Sequence, residues 1–186
     1  MKIILLQTDI CWASPSVNVN AIDAVIDTYN KDVDLFVLPE MFSTGFCTNP
    51  EGTAESAEGE SLQWMKQKAM KRNCAIAGSI SVEENAKFYN RFFFVHPDGK
   101  VQWYDKKHLF TYGGEDKHYT AGTERVVVNF RDVRFLLEVC YDLRFPVWSR
   151  NRGDYDVALY VASWPSPRVE AWKALLRARA IENQCY

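Results

Sequence analysis

The sequence predicts an α/β or mixed α+β sandwich, and three observations carry that expectation. Short apolar runs of strand length alternate with longer stretches whose apolar residues recur every three or four positions. Some of the runs are joined to their successors by tight turns, which makes antiparallel hairpins. Of 186 residues, 47% are hydrophobic and 14% aromatic, enough for a substantial core and far from a disordered composition. A single domain over residues 1–186 follows, with no linker and no internal repeat.

The elements follow in order. Ile3–Gln7 reads as a buried strand. Ser14-Pro15-Ser16 opens a helix that puts Val19, Ile22 and Ile26 on one face. Leu35–Leu38 is a second strand, ended by Pro39-Glu40. The acidic stretch Glu51–Glu60 is a solvated loop covering or flanking a site. Leu62–Lys71 is helical, with Leu62, Met65 and Ala69 inward. Cys74–Val82 and Phe88–Val95 are strands, and Pro97-Asp98-Gly99-Lys100 turns the second into Val101–Tyr104. Residues 106–122 form a long irregular segment, which in a compact domain is usually functional. Arg125–Phe130 and Arg134–Val139 pair across Arg131-Asp132. Phe145–Arg152 is a short helix, Val157–Ala162 a strand, and Ser166-Pro167 starts a helix that runs to about Glu182. Cys185-Tyr186 reads as the start of a further strand, so the sequence is expected to be a fragment with an open sheet edge.

Bulk properties narrow the ligand. A net charge of −2 offers no counterpart to a nucleic acid or an anionic membrane, which leaves a small molecule. Five widely spaced cysteines, with no CxxC, argue against a disulfide framework and for a reducing, cytoplasmic setting. Cys11, Cys47, Cys74 and Cys185 are read as structural or incidental, and His96 as solvated. The first apolar run is too short for a signal peptide and meets Asp9 at once, and no segment has the length of a membrane span.

Three segments place a reactive group at a strand end, where α/β proteins build sites. Glu40 follows an apolar strand, and a desolvated carboxylate suits a general base. Lys106 and Lys107 stand at the mouth of the long loop, where an ammonium can hold an oxyanion. Cys140 closes a strand with a helix following at once, surroundings expected to stabilise a thiolate nucleophile. Read alone, each has a commonplace alternative: a solvated glutamate, a basic surface patch and a buried structural cysteine.

Together, Glu40 after Leu-Pro, Lys106 in YDKKHLF and Cys140 in EVCYDLRFP resemble the nitrilase superfamily of carbon–nitrogen hydrolases, in the same chain order. The likeness runs from LLQTDI to ARAIENQCY, and SWPSPR with Trp172 is similar to the bacterial omega-amidase branch. The resemblance implies a four-layer α-β-β-α sandwich, here C-terminally incomplete, a homodimer, and no cofactor or metal. It also implies an amidase that cleaves a small omega-amide such as 2-oxoglutaramate through a Cys thioester. On this reading Glu40 is the base, Lys106 rather than Lys107 the oxyanion ammonium, and Cys140 the nucleophile. Glu115 is the second glutamate, and the backbone N–H of Tyr141 is a second oxyanion donor. Arg144 is expected either to bind a substrate carboxylate or to pair with Asp142. Phe46, Tyr112 and Trp164 are candidates to wall the acyl pocket.

Three competing readings stay open from sequence. One is a Cys/His pair using His108 or His118. Another is a metal site from His108, Glu115, His118 and a cysteine. The third is a non-catalytic or truncated binding subunit that keeps the fold.

Overall fold

The computed structural model describes residues 1–29 and 32–186. Its first sheet contains β1 (Ile3–Leu5), β2 (Leu35–Val37), β3 (Glu55–Ser56), β4 (Ala75–Glu84), β5 (Lys87–Val95) and β6 (Val101–Asp105). The order is β1-β2-β4-β5-β6, with β3 paired to the far end of β4. Strands β1, β2 and β4 are parallel. The crossovers between them contain α1 (Pro15–Asp27) and α2 (Glu60–Arg72), the longer connections that parallel pairing requires. The second sheet is β7 (Val127–Phe130), β8 (Val133–Val139) and β9 (Val157–Val161), with β7–β8 antiparallel and β8–β9 parallel.

Side-chain alternation sorts the core into two layers. Phe36, Ile76, Ile80, Phe93 and Val95 face the helices and meet Ile22, Ile26, Leu62, Met65 and Ala69. Their neighbours Leu35, Val37, Ala75, Ala77, Phe92 and Phe94 face the second sheet and meet Val128, Phe135, Leu137, Val139, Leu159 and Val161. With both faces covered, these strands read as continuous apolar runs. Beyond the second sheet lie α3 (Pro146–Ser149) and α4 (Val169–Asn183). Tyr160 of β9 donates to Ser149 Oγ at 2.7 Å, and Arg179 of α4 donates to the Leu143 carbonyl at 2.8 Å. The result is the expected α-β-β-α sandwich.

Local departures have physical reasons. The helix expected over 145–152 stops at Ser149, because Arg150 turns extended (ψ 124°) and Asn151 Oδ1 accepts the N–H of Gly153 at 2.9 Å. His96 is buried rather than solvated, its ring tilted against Phe94 at 5.1 Å and hydrogen-bonded to Gln102 at 3.0 Å. Arg131 and Asp132 both adopt positive φ (48° and 62°), the mirror-image turn that matches strand twist in a two-residue hairpin. Tyr186 exchanges two backbone hydrogen bonds beside β9, at Asp156 and Ala158. Among the described residues, no helix is long and apolar enough to cross a membrane.

Candidate active site

Glu40, Lys106, Glu115 and Cys140 come from four different segments and meet between the two sheets. Glu40 follows β2, Lys106 follows β6, Glu115 lies on a 3-10 turn in the 106–122 segment, and Cys140 follows β8. Lys106 is wholly buried, its ammonium 3.0 Å from Glu40 Oε1 and 2.9 Å from Glu115 Oε2. Burial alone would lower its pKa. The two carboxylates outweigh that and hold its pKa above the usual lysine range. Burial raises the Glu115 carboxyl against the pull of Lys106, with Glu40 adding repulsion. Glu115 also accepts the Phe110 N–H at 2.6 Å, which pins the loop to the cluster.

A fifth member of this cluster is Asn90, and sequence reasoning missed it. Its amide nitrogen donates to Glu40 at 2.8 Å and to Glu115 at 3.1 Å. A signal was available. On β5 it shares a face with Phe92 and Phe94, and a polar residue in a core row wants a partner. The remaining oxygen of Glu40 accepts the Ser163 N–H at 2.8 Å, a contact across 123 residues that no local pattern announces.

Cys140 sits at φ 47°, in the left-handed region. Such a conformation costs about 1–3 kcal/mol in a non-glycine residue and persists only when its surroundings fix it. Asp142 fixes it. One oxygen accepts the Val139 N–H at 2.9 Å and the Tyr104 hydroxyl at 2.8 Å. The other accepts the His108 N–H at 2.9 Å and bonds His108 Nδ1 at 2.8 Å. The Cys140 turn is thereby tied to the segment that carries Lys106. This commitment removes the expected Asp142–Arg144 pair and ties His108 to Asp142. His118 is exposed, so the Cys/His reading fails on geometry. Among the described residues, no group of three or more His, Cys, Asp or Glu is arranged to hold a metal ion.

The thiolate expectation needs correction. Burial first, then the Glu40 charge, push the Cys140 thiol well above its ordinary value, against the opposing pull of Lys106 and of the Ser163 N–H. Both influences favour the neutral thiol at rest. A base must remove the proton before attack.

Glu40 and Cys140 open into a cavity of about 90 Å³, also lined by Phe46, Phe110, Tyr141, Arg144, Ser163, Trp164, Pro165 and Arg168. Phe46 lies 5.3 Å beneath the Lys106 ammonium. Tyr141 is the second residue of the Cys140–Arg144 3-10 turn, where backbone N–H groups have no partner within the helix. Tyr112 is not part of the wall. It is 87% exposed, its ring tilted against Phe110 at 5.9 Å. The 51–60 stretch is not a plain solvated loop either. Glu55 accepts bonds from Ser43 Oγ at 3.0 Å and Ser61 N at 2.8 Å, and β3 joins the sheet.

Gly122 closes the irregular segment. Its N–H reaches the Lys106 carbonyl at 2.9 Å, and a Cβ there would overlap the Asp105 carbonyl oxygen. Because that obstacle is backbone, no rotamer change relieves it. Gly122→Ala is expected to destabilise the protein by about 1–3 kcal/mol and to lower activity by displacing Lys106. Melting and kcat/KM check this, and a variant with wild-type values in both refutes it.

Comparison with known proteins agrees with this geometry. The carbon-nitrogen hydrolase family profile matches residues 2–186. The omega-amidase YafV of Escherichia coli K12 is 49% identical over 100% of this chain and 72% of its own. The 2-oxoglutaramate amidase of Bacillus subtilis is 37% identical over 97% of this chain and 72% of its own. Among solved structures, a CN-hydrolase superfamily protein of Xanthomonas campestris, with an arsenic adduct in its active site, superposes with a TM-score of 0.95. It is 42% identical, over 98% of this chain and 72% of that one. The chain belongs to the carbon-nitrogen hydrolase family, on its omega-amidase branch.

Proposed function

We propose that the protein is a cysteine-dependent amidase that hydrolyses a small omega-amide of the 2-oxoglutaramate kind to a carboxylate and ammonia. The observation that carries this is that Cys140 and Glu40 line one cavity while the Lys106 ammonium stands 3.0 Å behind, on Glu40 Oε1. The relatives named omega-amidase and 2-oxoglutaramate amidase support the substrate class.

The chemistry follows from the contacts. Glu40 takes the Cys140 proton as sulfur attacks the amide carbon. The oxyanion forms beside the Lys106 ammonium and the Tyr141 N–H, donors already in place before charge develops. Glu40 returns the proton to the departing nitrogen, leaving a thioester and ammonia. It then activates the water that cleaves the thioester. Glu115 and Asn90 are positioning groups that hold Lys106 and Glu40. The ammonium donates to Glu40 Oε1 and to both oxygens of Glu115, which fixes its place.

Ammonia release from a panel of omega-amides, nitriles and carbamoyl amino acids tests the reading. The omega-amides are expected to be cleaved fastest. A preference for nitriles or carbamoyl compounds defeats it, as does an inert protein. The same reading includes a homodimer, supported by Val147 and Ile181 standing 76% and 70% exposed, and a cytoplasmic setting, supported by five free cysteines.

A further inference from the structure

The turn that carries Glu40 is held by a side chain the proposed mechanism does not use. Met41, the next residue, sits at φ 47°. Cys140 has the same φ, so both reactive groups stand on or beside left-handed backbone. That region disfavours any residue with a Cβ and persists only when its surroundings fix it. At Met41 the fixing group is Ser79 of β4. Its Oγ accepts the Met41 N–H at 2.9 Å, and both residues are fully buried.

The strand around Ser79 suits this contact. Ala75 and Ala77 face the second sheet, and alternation continues their row with Ser79 and Ser81, opposite Phe92 and Asn90 of β5. A hydroxyl in such a row needs a partner. Ser81 finds the Tyr119 hydroxyl at 2.8 Å, and Ser79 finds the Met41 N–H. Backbone bonds bracket that contact. The Leu38 N–H donates to the Ala77 carbonyl at 2.7 Å, and the Phe42 N–H to the Ser79 carbonyl at 3.1 Å. Gly78 permits the close approach, because a Cβ there would lie 2.8 Å from Leu38 Cβ. Downstream, the Met41 carbonyl accepts the N–H groups of Thr44 and Gly45 at 3.1 and 2.8 Å, in the turn that leads to Phe46 on the cavity wall. A rotation about the Met41 φ would therefore move Glu40 and Phe46 relative to each other.

We propose that Ser79 is a positioning residue for Glu40: its hydroxyl locks Met41 in the left-handed turn and so sets how closely the carboxylate stands to the Cys140 thiol. Its catalytic consequence rests on the amidase reading above. The carboxylate itself is tied to Asn90, Lys106 and the Ser163 N–H. Those bonds fix which way it faces, and Ser79 fixes where its backbone stands. Without the hydroxyl, the Met41 N–H is buried and loses this acceptor, which favours relaxation of the turn. Ser79 does not line the cavity, so its effect belongs in kcat rather than in KM.

The test is Ser79→Ala, read in two ways. With succinamate, a linear omega-amide, kcat should fall by about 10- to 100-fold with KM nearly constant, the scale of a misplacement of up to about 1 Å. The second readout is alkylation by iodoacetamide, followed at Cys140 by peptide mass. Burial and the Glu40 charge hold the thiol up against Lys106 and the Ser163 N–H. A receding carboxylate therefore moves the alkylation profile to lower pH. Ser79→Cys fills nearly the same space with a weaker acceptor, so it should fall between wild type and alanine in both readouts. It also takes the place of the alanine variant if that one does not fold. A Ser79→Ala protein that melts lower but keeps its kcat and its alkylation profile marks the bond as structural and overturns the proposal. So does a loss confined to KM, or a failure of both variants to fold. A wild type inert toward every omega-amide sinks the amidase reading alone, because alkylation reads the hold of Ser79 on Glu40 without turnover.

Discussion

Cys140→Ala removes turnover, with a loss in kcat on the order of 10⁶, the scale seen when a covalent nucleophile is deleted. The fold should survive, because alanine keeps the Cβ and is no more strained at φ 47° than cysteine is. A more discriminating result concerns the proton. The thiol is held up by burial first and by the Glu40 charge second. In the free protein, alkylation of Cys140 by iodoacetamide should therefore be slow near neutrality and rise only at alkaline pH. Glu40→Gln removes the repelling charge while Lys106 remains, so the alkylation profile moves to lower pH. The same substitution removes the base, so amidase activity collapses. One variant with an easier thiolate and a dead enzyme separates the two roles of Glu40. An Ala variant with full activity, or a Gln variant whose thiol titrates at higher pH, contradicts the assignment.

The sequence exposed the frame more readily than the site. Leu35–Val37 and Phe92–Val95 are legible as strands because both faces are covered, so apolar runs need no long-range information. The Glu40–Lys106 pair spans 66 residues and the Glu40–Ser163 contact 123, and nothing in the local pattern of either segment specifies its partner. Family resemblance, rather than periodicity, singled out Glu40 and Lys106, and Ser163 was missed. Asn90 was readable once its row with Phe92 and Phe94 is traced. Tyr112 misled because an aromatic in an irregular loop carries no facing information, and this one points to solvent. The thiolate expectation failed for another reason. It weighed the N–H groups next to Cys140 in the chain and could not see the carboxylate packed against it, whose charge reinforces burial.

Lys106→Met should cost both rate and stability, and the two losses have separable causes. On the proposed mechanism the ammonium is one of two oxyanion donors, and removing one such donor lowers kcat by about 10²–10³. It is also the counter-charge for two fully buried carboxylates. Deleting one partner of a buried ion pair costs about 3–5 kcal/mol, and about 2–4 °C of melting temperature accompanies each kcal/mol in a chain of this size. The pH dependence identifies the source. Burial already raises the Glu115 carboxyl, and without Lys106 its main opposing influence is gone. A carboxyl whose folded pKa lies above its unfolded value contributes stability below the unfolded value and loses it as pH rises through the folded one. The Lys106→Met deficit should therefore be small near pH 4.5 and grow toward pH 8. Adding Glu115→Gln removes one of the stranded charges, so the double variant should melt higher than Lys106→Met alone at pH 8 while remaining as inactive. A melting deficit that does not vary with pH, or a double variant that recovers activity along with stability, would mean that Lys106 neither balances these carboxylates nor stabilises the transition state in the way its contacts imply.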